Sequence, residues 1–204
     1  MKKSILCSIV ALACGLGLSA CGGNDDGELQ LYAGLGGVTK EGLTISNKGS
    51  APIKVAPGPT FIFPDLVPID SNYDITVVTE PPNVEVKSCV VNNGKGNTGA
   101  FSPQNISIVC IIKTYNLGGE VKGLTAEGLV VNNGAQSVKI AKDATAFSMT
   151  TPSATNAKIG QVAEGVPYGL TILTQPTGLK CTIANPNGTM PAGPVGNIVI
   201  TCTP

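Results

Sequence analysis

The sequence predicts an all-β protein built as two similar β-sandwich units in tandem. Three observations carry that expectation. The 204 residues include 26 Gly and 15 Pro, a share that suits short strands joined by turns and not a helical bundle. Short apolar or alternating stretches recur between turn clusters, with no long helical periodicity. The region after residue 33 is also written twice, in the same order of features.

The N-terminus has a different plan. Met1-Lys2-Lys3 is a short positive segment, Ser4 to Leu18 is a nearly unbroken apolar run, and small residues Ser19-Ala20 follow. That is the layout of a secretory signal, and the run is short for a membrane-spanning helix, which needs about 20 apolar residues. Leu18-Ser19-Ala20-Cys21 resembles the lipobox of bacterial lipoproteins. The resemblance implies that residues 1–20 are a lipoprotein signal peptide and that Cys21 is the lipidation site, carrying diacylglyceryl and palmitate-type acyl chains as the mature N-terminus. Gly22 in place of Asp implies the outer membrane. The expected tether spans residues 21–33. Its acids Asp25, Asp26 and Glu28 read as a solvated linker, since nothing fixes an oxygen shell for a cation.

The repeat is exact enough to align by eye. Gly37-Val38-Thr39-Lys40-Glu41-Gly42-Leu43 matches Gly123-Leu124-Thr125-Ala126-Glu127-Gly128-Leu129. Ile53-Lys54-Val55 matches Val138-Lys139-Ile140, and Tyr73-Asp74-Ile75-Thr76-Val77 matches Tyr168-Gly169-Leu170-Thr171-Ile172. Cys89 and Cys110 have the same spacing as Cys181 and Cys202. The expected units are residues 34–112 and 113–204, joined by Lys113 to Gly119, with Gly118-Gly119 free to turn.

Within the first unit, Leu43-Thr44-Ile45, Ile53-Lys54-Val55 and Phe61-Ile62-Phe63 read as strands separated by Asn47-Lys48-Gly49 and Pro57-Gly58-Pro59. Tyr73 to Thr79 alternates and is stopped by Glu80-Pro81-Pro82. Val84 to Val91 reads as the next strand, residues 92–97 as a loop, and Ile106 to Ile112 as the last strand. The second unit repeats the plan and ends on Ile198 to Cys202. Met149 to Val162 resists it and could hold a helical turn.

Such small units bury a modest share of their surface, and only four Phe and four Tyr are present, so the cores are mostly Val, Ile and Leu. A disulfide compensates for a thin core. The repeat selects Cys89-Cys110 and Cys181-Cys202 among the three connectivities, because inter-unit pairing would break the symmetry. Each bridge is worth roughly 3 kcal/mol in the chain-entropy model, and export supplies the oxidising compartment. A four-cysteine metal site would want close C-x-x-C pairs, which are missing.

The Gly-Leu-x-x-x-Gly-Leu segment, the Tyr-x-x-Thr-Val/Ile strand running to Pro, and the two cysteines together resemble the immunoglobulin-like repeats of bacterial envelope lipoproteins. The second unit shows this best, in Tyr168 to Pro176, Cys181-Thr182-Ile183 and Asn197 to Cys202. The resemblance implies two immunoglobulin-like β-sandwich domains. The core Trp of antibody domains is missing, since the chain has no Trp. In such lipoproteins the repeats often precede a larger module, and here the sequence stops at Pro204.

Composition excludes several function classes. With 13 basic and 13 acidic residues the formal charge is zero, and every basic residue is Lys, so a nucleic-acid partner is not expected. The chain has no His, the commonest general base and nitrogen metal ligand. No Ser-x-x-Lys with partnering Ser-x-Asn and Lys-Thr-Gly occurs in the repeats, and the acids are scattered differently in the two units. Asp70-Ser71-Asn72-Tyr73-Asp74 opens like a calcium loop, but Ile75 and Pro81 stand where Gly and Glu are required. An Asx turn explains it better. Gly34-Leu35-Gly36-Gly37 lacks the Lys-Ser/Thr ending of a phosphate loop and reads as a turn. Tyr73 and Tyr168 share a repeat position. They could contact a glycan or protein, but packing at a strand end suits a thin core better.

The sequence therefore leads to a non-catalytic outer-membrane lipoprotein, periplasmic or surface-facing, with no catalytic residue, metal or cofactor assigned. Its expected role is structural, adhesive or partner-binding. The expected partners are the membrane through the lipid, and an envelope protein or glycan. The alternatives are an accessory or catalytic subunit of an envelope hydrolase, or a module for a small ligand or ion.

Overall fold

A computed structural model describes residues 27–99, 105–150 and 159–204. Every regular element among them is a strand. In the first unit, β1 (Glu28–Gly36), β4 (Thr60–Pro68), β6 (Val90–Asn92) and β8 (Ile106–Val109) form one sheet in the order β4-β1-β8-β6. Strands β2 (Thr44–Asn47), β3 (Ile53–Lys54), β5 (Asn72–Thr79) and β7 (Lys95–Asn97) form the other, in the order β3-β2-β5-β7. Alternation along the strands turns one side of each sheet inward. Leu31, Ala33, Ile106 and Ile108 from the first sheet meet Ile45, Tyr73 and Ile75 from the second, and all are buried. The result is a β-sandwich.

The second unit is built the same way. After β9 (Thr114–Tyr115), strands β10 (Leu117–Lys122), β13 (Ala146–Ser148), β16 (Lys180–Ala184) and β18 (Val195–Thr203) run in the order β13-β10-β18-β16. Strands β11 (Val130–Asn133), β12 (Gln136–Lys139), β15 (Pro167–Thr174) and β17 (Asn187–Thr189) run in the order β12-β11-β15-β17. Its core gathers Leu117, Leu129, Val131, Met149, Ile198 and Ile200. In both units the first and last strands are parallel neighbours, β1 with β8 and β10 with β18, while the other pairings are antiparallel.

Three local devices recur at matching positions. Gly37 (φ 72°) and Gly123 (φ 73°) turn the chain out of the first strand against the last one. A Cβ at Gly37 would lie 2.0 Å from the Cys110 carbonyl oxygen, and one at Gly123 would lie 2.2 Å from that of Cys202, so only glycine fits. The Cys89 amide donates to Glu80 Oε1 at 2.7 Å, and the Cys181 amide donates to Gln175 Oε1 at 2.8 Å. The Asp74 and Gly169 amides donate to the side-chain oxygens of Asn47 and Asn133, each at 2.9 Å.

Several expectations are corrected. Residues 28–33 are not tether. They are the body of β1, with Leu31 fully buried, so the first sandwich starts at Glu28. Gly34-Leu35-Gly36 likewise ends that strand and is not a turn. Gly118-Gly119 is not a hinge but part of β10, where Cβ atoms would lie 2.3 Å and 1.9 Å from the carbonyl oxygens of Phe147 and Ile198. Val84 to Val91 is not one strand. Val84 makes an isolated bridge to Ile112, Lys87 takes a positive φ of 55°, and β6 begins only at Val90. Of Met149 to Val162, residues 151–158 lie outside the described residues. The flanks are extended, with the Met149 amide bonded to the Leu117 carbonyl and Val162 in β14 (Val162–Ala163).

Candidate functional site

The four repeat cysteines sit in matching places. Cys89, just before β6, is bonded to Cys110, just after β8, and Cys181 on β16 is bonded to Cys202 on β18. Each bridge crosses two adjacent strands of the same sheet, with Cα atoms 4.0 and 3.9 Å apart. Cys21 lies outside the described residues.

The candidate polar sites resolve into structural contacts. Asp70 and Ser71 form a turn around Thr98, whose side chain is buried and whose hydroxyl lies within bonding distance of the Pro68 and Ser71 carbonyls. Asp74 leaves that turn and pairs with Lys95 across the β5–β7 ladder at 2.9 Å. The hydrogen bond to Asp74, and then its charge, lift the Lys95 ammonium above the ordinary lysine value. Among the described residues no three His, Cys, Asp or Glu side chains converge. A depression of about 460 Å³ between Glu41–Thr44 and Lys54–Ala56 has a single carboxylate in its lining, Glu41. One carboxylate cannot act as an acid–base pair.

Tyr73 and Tyr168 share a job. Each stands opposite a glycine of the neighbouring strand, Gly96 or Gly188, and lays its ring over the bare backbone there. A Cβ on either glycine would come within 2.5 Å of the tyrosine hydroxyl. The rings fill space that a side chain would otherwise take, which is a packing role.

The two units also touch. Lys40, on the loop after β1, pairs with Glu164, whose side chain is 5% exposed. Lys113 carries the connection: its amide donates to the Asn83 carbonyl, its carbonyl accepts from the Glu164 amide, and its Nζ donates to the Pro82 carbonyl at 2.7 Å. Next to it β9 pairs with β14.

The feature that distinguishes the units is the solvent face of the β4-β1-β8-β6 sheet. Tyr32 on β1 is 55% exposed and stands opposite Ile62 on β4, 56% exposed. Val109 on β8 and Val90 on β6 are also opposite one another and exposed. Between these pairs runs Gly34, flanked by Thr60 and Ser107. Tyr32, Ile62, Gly34, Thr60 and Ser107, together with Asn105, line a shallow trough of about 550 Å³. A Cβ at Gly34 would meet nothing closer than 3.9 Å, so the fold does not require glycine at this position.

The homologous face of the second unit loses the large apolar side chains, although Thr60 becomes Ala146, Ser107 becomes Val199 and Asn92 becomes Ala184. Reading across the shared register, Tyr32 becomes Gly118, Ile62 becomes Ser148, Val90 becomes Thr182 and Val109 becomes Thr201. Gly34 and Gly36 become Glu120 and Lys122, which pair at 3.3 Å. Sequence reasoning missed the apolar face because it placed residues 28–33 in the tether. The signal was present in the alternation Leu29, Leu31, Ala33, Leu35 against Gln30, Tyr32, Gly34, Gly36.

No protein-family model and no curated protein sequence matches the chain. Among solved structures, it is similar to a single B repeat unit of the collagen-binding surface protein of Staphylococcus aureus. That match has 14% identity and a TM-score of 0.27, over 86% of this chain and 98% of the other.

Proposed function

We propose that the chain is a lipid-anchored, non-catalytic binding scaffold of the bacterial envelope, held at the outer membrane through acylated Cys21. Its two sandwich domains present the solvent face of the first β4-β1-β8-β6 sheet to a partner. The observation that carries this reading is the contrast between homologous faces. One fold, used twice, places Gly118, Ser148, Thr182 and Thr201 where the first unit exposes Tyr32, Ile62, Val90 and Val109. The largest contiguous apolar patch on a protein surface is often functional. The tether sets how far from an anchor at Cys21 the domains can stand. With β1 starting at Glu28, only residues 22–27 separate Cys21 from the sandwich, a reach of at most about 25 Å. The first unit is thus kept at the membrane surface, and the second lies beyond it along the chain.

Two measurements test the reading. Labelled palmitate enters the wild-type chain, and Cys21→Ala abolishes both labelling and normal processing of the signal; a labelled Cys21→Ala product overturns the anchor. Photo-crosslinking from Asn92, at the rim of the apolar face, captures a protein in intact envelopes, and Ile62→Lys removes that capture. Thr201→Lys, on the homologous face, leaves it unchanged. Equal effects of the two lysines would defeat the assignment of the face.

A further inference from the structure

We infer that the two sandwiches are held as one rigid body by a joint built around Lys113, with the Lys40–Glu164 ion pair as its lock. The inference is independent of the docking-surface reading above.

Tandem domains joined by a linker move relative to one another unless something holds them. Here no residue is left over to act as a linker. The Cys110 amide donates to the Gly36 carbonyl, the Ile111 carbonyl accepts from the Glu85 amide, and Ile112 bridges to Val84, all within the first unit. Thr114 and Tyr115 already pair with Ala163 and Val162 in the second. Lys113 belongs to both. Its amide donates to the Asn83 carbonyl at 2.9 Å, and its carbonyl accepts from the Glu164 amide at 3.0 Å. Peptide planes are stiff, so the φ and ψ of this one residue are the backbone freedom between the units.

Side chains restrict that freedom. Lys113 Nζ donates to the Pro82 carbonyl at 2.7 Å, so the shared residue also grips the first unit through its side chain. Lys40 reaches from the first unit to Glu164 in the second, whose carboxylate is nearly buried. A pair with one partner buried is screened less by salt than an exposed one. Asn83 is itself buried, and its Nδ2 donates to Thr39 Oγ1 at 2.8 Å. That bond ties the segment receiving the Lys113 amide to the loop carrying Lys40.

The repeat supplies the comparison. Gly27 and Ile69 of the first unit are the counterparts of Lys113 and Glu164, and they keep the same bond, from the Ile69 amide to the Gly27 carbonyl. Ala126, Thr177 and Gly178 of the second unit are the counterparts of Lys40, Pro82 and Asn83. The backbone plan is therefore repeated, while the joint's charged and amide side chains stand only at the two ends that meet. Residues required by the sandwich itself would recur in both units. These occur once, where one unit follows the other. The apolar face of the first unit and the body of the second consequently keep one relative orientation.

The test uses the full chain expressed with its own leader, with nitroxide-bearing non-natural residues in place of Val78 and Leu173, both exposed and at equivalent repeat positions. Pulsed electron-spin resonance then reads the distribution of distances between the units. The parent is expected to give one narrow peak. Inserting Gly-Ser-Gly-Ser after Lys113 widens it by on the order of 10 Å, the random-coil reach of four such residues. Lys40→Ala with Glu164→Ile installs the residues found at the counterpart positions, Ala126 and Ile69. That variant raises the share of distances outside the main peak about fivefold. Lys95→Ala, which removes an ion pair inside the first unit, leaves the peak unchanged. Cooperative thermal unfolding of both units in every variant separates a loosened joint from a lost fold. A parent distribution as wide as that of the insertion overturns the rigid joint. A narrow peak that the Lys40 and Glu164 changes leave unaltered overturns the ion pair as its lock. Neither result bears on the docking-surface reading.

Discussion

The two sandwiches share strand order, parallel terminal strands, disulfide placement and the glycine that leaves the first strand, yet they differ on one solvent face. Positions that point inward keep their character: Leu31 and Leu117, Phe61 and Phe147, Ile108 and Ile200 are equivalent pairs. Positions that point outward on the same strands do not. Tyr32 faces Gly118 across the repeat, and Gly34 faces Glu120. The fold is thus stored in inward residues and a few backbone-critical glycines, while the outward half of each strand is free to carry binding. A difference confined to that half points to use and not to folding.

The sharpest way to break this comparison is to exchange glycines on one strand and its exit. Gly37→Val and Gly123→Val each force a side chain into a carbonyl at a positive φ, and each is expected to cost more than about 3 kcal/mol in its own unit. Gly34→Val, three residues away, should be neutral or stabilising by up to about 1 kcal/mol. Thermal unfolding of the three variants checks both halves, and a large loss from Gly34→Val would show that the trough is a folding requirement.

Removal of a disulfide probes the symmetry next. Replacing Cys89 and Cys110 by Ala, or Cys181 and Cys202, should cost roughly 3 kcal/mol in the unit concerned. For units of this size that lowers the midpoint by roughly 12–24 °C. Unequal losses would mean that one core depends on its bridge more than the other.

Independence of the units gives a smaller effect. Residues 113–204 expressed alone in an oxidising compartment should unfold cooperatively, because β9 stays with its partner β14 and the core of the second unit is complete. What is lost is the contact of Glu164 with Lys40 and the bonds from Lys113 to the Asn83 and Pro82 carbonyls. Lys40→Met in the full chain should reproduce the ion-pair part of that loss, expected at about 1 kcal/mol because the lysine is half exposed. A fragment with no cooperative transition would show that the units fold as one body.

The smallest expected effect is a pH response confined to the first unit. The Asp74–Lys95 pair raises the Lys95 pKa, so its contribution is complete below the ordinary lysine value of 10.5 and is lost as pH rises through the higher folded value. The second unit has Gly169 and Asn187 at those positions and lacks the pair. Alkaline melting curves should therefore fall slightly for the first transition alone, and Lys95→Met should erase the difference.

The doubled architecture was legible because repetition marks fold-determining residues twice: a lone Tyr or Gly says little, but Tyr73 with Tyr168 and Gly37 with Gly123 fix their places. Strand β5 was read nearly to its ends, since Tyr73 to Thr79 alternates and Pro81 stops it. The first strand was missed because the acids at Asp25, Asp26 and Glu28 colour the whole N-terminal stretch, and the repeat comparison began only at Gly37. Gly118-Gly119 was misread for a related reason. Glycine pairs mark turns when the chain needs freedom, but here they mark where two neighbouring backbones come too close for a side chain. The apolar face was invisible without β1, because its members come from four strands spread over residues 32–109.

The parallel pairing of first and last strands has a mechanical consequence. The chain enters each sandwich at one end of β1 or β10 and leaves from the opposite end of β8 or β18, so tension applied along the chain pulls the paired strands past one another. The ladder hydrogen bonds between them are then loaded together in shear and must fail together, instead of opening one at a time as in an unzipped hairpin. Within each unit the crosslink anchors the last strand to its other neighbour and limits how much chain can be paid out after rupture. A protein fixed to a surface at one end and gripped at the other would hold load through these two ladders.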